Sequence, residues 1–353
     1  MKSFIFQRVG VLAVCVMGIS FALNSAMFAF PLTYQDQKKE QDKDKDKDKA
    51  KQPNVSPEEQ KSLSNINTAS GPEAKIKAAG EYLKKYSKSP MREQVAGYVA
   101  DEIAKVKDFE QKITLSRSYL ATFNQPEEAD LIKPILVEAY LNTGKVDDAL
   151  TESTKHLERN PGDVIVLTQL AWAGAMQAQK GGASPKFMQT ASDAGTKAIQ
   201  SMEADKKPEK MTAENWTAFR NAWLPRLYQG QGVIKFYSND KPGAKENLEK
   251  AVGLDPYEPS TLLMLMTIAD DQYNELAKKY QAEKKADQLK QALASMDEAI
   301  DWMARAIAAT EGQAQYKTIN DQLKENLKQY YGFRHDGKTD GMNELIQKYK
   351  KTN

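Results

Sequence analysis

Cysteine is nearly absent: Cys15 is the only one in 353 residues. That excludes a disulfide framework within the chain and any structural zinc site built from several thiolates. Histidine is almost as scarce, and the only two, His156 and His335, are too far apart in sequence to suggest a His-rich metal centre. An excess of one charge is also missing from the body of the chain. From Gln52 onward there are 41 basic and 42 acidic residues, evenly mixed. Such a surface has no long-range field to attract phosphate backbones, so no nucleic-acid partner is expected. Strand signals are lacking too. No stretch alternates convincingly with a period of two, and no β-branched run is bounded by hairpin turns.

What is there begins with a leader. Lys2 and Arg8 are the only charges before Asp36, and Val9–Leu23 is an apolar run of 15 residues followed by small residues at Ser25, Ala26 and Ala29. This is the pattern of a secretory signal. As a helix the run reaches about 23 Å, short of the roughly 30 Å hydrocarbon core. Including Ala26–Leu32 would let it span. Residues 1–29 therefore read as a cleaved signal peptide or a retained N-terminal membrane anchor, with membrane tethering through residues 9–32 in the second case. Either way the body is expected to be exported, periplasmic or anchored facing the extracytoplasmic side. Residues 30–55, containing the run DKDKDKDK at Asp42–Lys49, read as a disordered charged tether with nothing to bury.

From Ser56 onward nearly every segment shows the 3.6-residue periodicity of amphipathic helices. Ser56 is a helix N-cap, with Pro57, Glu58 and Glu59 in the first turn. Thr143-Gly144, Asn160-Pro161-Gly162, Lys180-Gly181-Gly182, Asp255-Pro256 and Asp336-Gly337 punctuate the helices. Two windows align internally, 139–163 and 234–258, matching Ala149 to Ala244 and Pro161 to Pro256. At these residues the chain resembles the tetratricopeptide repeat (TPR) family, whose period is about 34 residues. Gly232, Ala244, Leu248, Ala251 and Pro256 fit its pattern. Leu136, Tyr140, Gly144, Ala149 and Pro161 fit it too, with Val137 and His156 where small residues are usual. The second-helix marker recurs at 78, 112, 149, 191, 244 and 299, with Lys112 in place of Ala. Growing steps between markers imply inserted material at 180–186, an additional helical segment around 205–222, and an extended region at 270–290. The expected fold is all-α, a TPR-like α-solenoid of about five irregular helix pairs over 56–312, closed by capping helices over 313–353. Antiparallel helices that approach within about 8–10 Å need small residues at their crossing, whatever the family name.

Chemical motifs are few. Gly332–Thr339 matches the P-loop pattern, but an amphipathic helix precedes it and no strand can follow, so it reads as a helix-ending turn with an N-cap at Thr339 or Asp340. Asp336–Asp340 lacks the bidentate Glu of a calcium loop. His156 reads as a packed or surface imidazole, and Trp216, Phe219 and Trp223 as a core stripe rather than a sugar-stacking platform. No catalytic residue, metal ligand or cofactor is expected. The resemblance implies a non-catalytic scaffold that binds a protein or peptide partner in the cell envelope. The alternative is an envelope enzyme or a sugar- or polymer-binding protein using 205–222. The family's ligand positions, carried over, fall on Glu138, Asn142, Gln169, Trp172, Met176, Gln229 and Tyr237. The Lys/Asn pattern of carboxylate-clamp members is absent. Trp172 reads either as the groove's aromatic anchor or as a packing residue between helices.

Overall fold

The computed structural model describes residues 55–209 and 211–351. The leader and nearly all of the expected tether lie outside the described residues. Those described form fourteen α-helices and no strand. They are α1 (Pro57–Thr68), α2 (Gly71–Lys85), α3 (Arg92–Ala104), α4 (Phe109–Thr122), α5 (Pro126–Asn142), α6 (Val146–Arg159) and α7 (Val164–Lys180). There follow α8 (Pro185–Glu203), α9 (Ala213–Tyr237), α10 (Lys241–Leu254), α11 (Pro259–Glu283), α12 (Ala286–Thr310), α13 (Lys317–Arg334) and α14 (Met342–Lys348). No helix among the described residues is long and apolar enough to cross a membrane.

Local chemistry sets the helix ends. The side chains of Ser56, Asp108, Asp163, Ser184 and Asp240 each accept a bond from a backbone N–H one turn on, satisfying donors that the helix leaves open. At the other end, Gly144 takes φ +73° and lets Lys145 N donate to Tyr140 O at 2.9 Å. Left-handed Asn239 and Asp336 close α9 and α13 in the same way, with Asp240 N donating to Lys235 O and Gly337 N to Gly332 O. The N-cap expected at Thr339 or Asp340 does not form. Gly341, at φ +89°, precedes α14 without a side-chain cap, and Thr339 O accepts from Met342 N instead.

The helices come in consecutive pairs. Helices α1/α2, α3/α4, α5/α6, α7/α8 and α11/α12 pack against each other. In α9/α10, a Cβ on Gly232 would lie 2.6 Å from Leu248 Cγ and 3.2 Å from Ala244 O. The six sequence markers fall on α2, α4, α6, α8, α10 and α12, the second helix of each pair. The pairs therefore number six among the described residues rather than about five, because α3/α4 is a complete pair despite Lys112. On α2 the packed small residue is Ala79, fully buried, with Ala78 half-buried beside it. The expected extra helix around 205–222 is no separate element. Residues 205–209 and 211–212 lie outside the helices, and 213–222 begin α9, where Trp216, Phe219, Trp223 and Leu227 are buried. The extension at 270–290 lengthens two helices instead of adding a loop. Helices α11 and α12 have 25 residues each and turn at Lys284–Lys285, which forces them antiparallel.

The chain divides into two compact units, 55–223 and 224–351 among the described residues. In the first, Ile66, Tyr82, Val99, Ile103, Tyr119, Phe123 and Ile132 build one core, with Tyr119 and Phe123 stacked at 4.4 Å. A second cluster joins Ile113, Leu136, Ala139, Tyr140 and Ala149. In the second unit Leu248, Leu262, Leu263, Met303, Ile307 and Leu327 are buried. On α13, Leu323, Leu327 and Tyr330 are buried, and Ile346 is the buried side chain of α14.

Candidate functional site

The seven groove positions lie on the first helices of three pairs, α5, α7 and α9. In the 55–223 unit, Glu138 is buried and accepts a bond from Lys112 Nζ at 3.2 Å. Burial pushes the Glu138 carboxyl up, with Lys112 pulling the other way. Asn142 is half-buried and donates back to Glu138 O at 2.8 Å. Gln169 is buried, and its Nε2 donates to Pro134 O at 3.2 Å, fastening α7 to α5. Trp172 is 3% exposed, its ring set edge-on to Trp223 at 6.1 Å. Met176 is half-buried. In the 224–351 unit, Gln229 is buried and donates to Thr261 Oγ1 at 2.9 Å, joining α9 to α11. Tyr237, at 40% exposed, is the most open of the seven. Gln169 and Gln229 thus occupy equivalent roles, each tying one first helix to another through an amide.

Several organising residues carried no recognised signal. Lys112 sits at a marker position, buried beside the Phe109 ring, and reaches across to Glu138. A cation where a small residue is the rule is the clue that a carboxylate waits on the next helix. His156, also at a small-residue position, is buried with Nε2 2.6 Å from Asp163 Oδ2. Asp163 Oδ1 accepts from Ile165 N and Val166 N, so one carboxylate caps α7 and holds α6. Arg92 grips Glu128 through two nitrogens, and Glu128 also accepts from Gln125 N to complete a capping box.

The stretch 205–222 is held from within. Asp205 Oδ1 accepts from Trp216 Nε1 and from Arg220, both at 2.7 Å. Trp216, Phe219 and Trp223 are buried in a ladder spaced at 6.2 Å. Gly332–Thr339 is the end of α13 and its turn, with the His335 ring stacked on Tyr331 at 3.9 Å. Among the described residues no group of three or more His, Cys, Asp or Glu is placed to hold a metal ion. Compared with known proteins, the chain matches no family model and no curated protein.

Proposed function

We propose that the chain is an exported scaffold of the TPR type that binds a protein or peptide partner in the cell envelope without catalysing a reaction. The observation that carries the reading is the coincidence of the six marker positions with the second helices of six pairs, together with the close crossing of Gly232 on Ala244 and Leu248. Stacked helix pairs of this kind present one row of first helices, and such a row is an extended surface suited to a chain-like ligand. Export is supported by Lys2 and Arg8 ahead of the apolar run.

Two residues of similar exposure give a controlled test. Tyr237 on the first helix α9 is 40% exposed, and Leu289 on the second helix α12 is 37% exposed. A photoreactive amino acid placed at 237 should yield a discrete protein adduct in living cells, and the same adduct should be missing when the probe sits at 289. Identical adduct patterns from both positions would count against a first-helix binding surface. For export, alkaline phosphatase fused after Ser56 should be active, and an inactive fusion refutes it.

A further inference from the structure

Asp270 on α11 is 4% exposed, yet no Lys, Arg or His among the described residues forms an ion pair with it. Its carboxyl accepts from the Tyr330 hydroxyl on α13 and from Asn274 Nδ2 at 3.1 Å. Tyr273 sets its ring edge-on to Tyr330 at 5.7 Å. The neighbouring charges are engaged elsewhere. From α10, Lys241 pairs with Asp271 and Glu275, at 3.1 and 3.2 Å. From α12, Asp297 pairs with Arg334, and Asp301 with Arg305 and Tyr349. Helix α13 also packs along α12, where Asn320 bonds to Ile307 O and Thr310 Oγ1. Near its C-terminal end Tyr330 fastens it to α11 through Asp270.

We propose that Asp270 and Tyr330 form a proton-sensitive fastening, so that docking of α13 onto α11 follows the pH of the surroundings. A carboxyl buried without a cation is better accommodated neutral than charged. Burial accordingly raises Asp270 above its ordinary 3.8, with Asp271 adding to the rise and the donors Tyr330 and Asn274 opposing it. When α13 detaches, Asp270 meets water and returns towards that ordinary value. The docked state therefore holds a proton that the detached state releases. Docking is strongest in acid, weakens as pH rises through the window between the two values, and is constant above it. The opening equilibrium changes by at most about tenfold per pH unit within the window, the limit for one proton.

Hydrogen exchange in the full chain reads this directly. Exchange of α13 amides is compared with that of α4 amides in the same sample, between pH 4 and 8, which cancels the intrinsic pH dependence of exchange. Protection of α13 relative to α4 should fall as pH rises. In Asp270→Asn, which is neutral at every pH, that slope should vanish. A slope that persists in Asp270→Asn, or its absence in the wild-type chain, overturns the proposal. Tyr330→Phe provides a second reading should Asp270→Asn fail to fold. Removing a donor that favours the ionised carboxylate should move the midpoint of the slope to higher pH, and an unmoved midpoint overturns the proposal equally.

Discussion

The pair α9/α10 and the junction of α4 with α5 solve one packing problem in opposite ways. In the first, Gly232 surrenders its side chain so that α10 can come within contact of the α9 backbone, and Ala244 is 0% exposed. In the second, the corresponding marker is Lys112, only 5% exposed, whose ammonium is matched by Glu138 on the next helix. Steric closeness needs no partner beyond shape. A buried charge needs one specific partner, and losing it leaves the survivor stranded in a medium that cannot solvate it. Equal burial therefore hides very different sensitivities to substitution.

The comparison breaks most sharply at Lys112. Lys112→Ala should lower unfolding free energy in urea by about 3–5 kcal/mol, because Glu138 stays buried and unpaired. Replacing both partners, Lys112→Met with Glu138→Leu, should recover most of that loss. A double variant no better than the single one would show that the pair matters for more than its mutual neutralisation. Gly232→Ala should cost about 1–3 kcal/mol, since the new Cβ would meet Leu248 Cγ at 2.6 Å. A neutral effect in the melt would mean that Leu248 can turn aside, and the crossing would then be looser than the distance implies. The smallest effect is expected at exposed Lys338. Lys338→Ala should change stability by no more than about 0.5 kcal/mol. Millimolar ATP with magnesium should leave the melting temperature of both forms unmoved, and a shift lost in the variant would restore the P-loop reading of Gly332–Thr339.

What the sequence discloses follows the range of the interactions. Caps such as Ser56, and turns such as Thr143-Gly144, depend on residues within one turn of each other, and they stand where their residue types indicate. The markers also keep to the second helices, with the packed residue on α2 shifted one place to Ala79, because every pair needs a small or well-matched residue there. Long-range partnership is not legible in this way. Lys112 at a small-residue position signals that a carboxylate is needed, but nothing local to it singles out Glu138, 26 positions on. Carrying groove positions over from a family indicates which helix they stand on, but not what lies over them. Glu138, Gln169, Trp172 and Gln229 prove buried, and Tyr237 open, because neighbouring helices decide exposure. The turn before α14 shows the limit at short range. Thr339 and Asp340 have capping side chains, but the left-handed Gly341 takes the position itself.

The tryptophans carry an optical consequence. Of the four in the chain, Trp172, Trp216 and Trp223 belong to the 55–223 unit and Trp302 to the 224–351 unit. Trp172 and Trp223 lie 6.1 Å apart with ring planes at 81°. Indoles this close and this inclined share their electronic excitation, which gives a paired positive and negative band in circular dichroism. That couplet belongs to α7 and α9 packed together and disappears when they separate. Trp302, beside Arg305 at 4.6 Å, emits from the other unit. With Trp216 replaced by Phe, the couplet comes from this one pair, and its loss follows the melting of the 55–223 unit without attaching a dye.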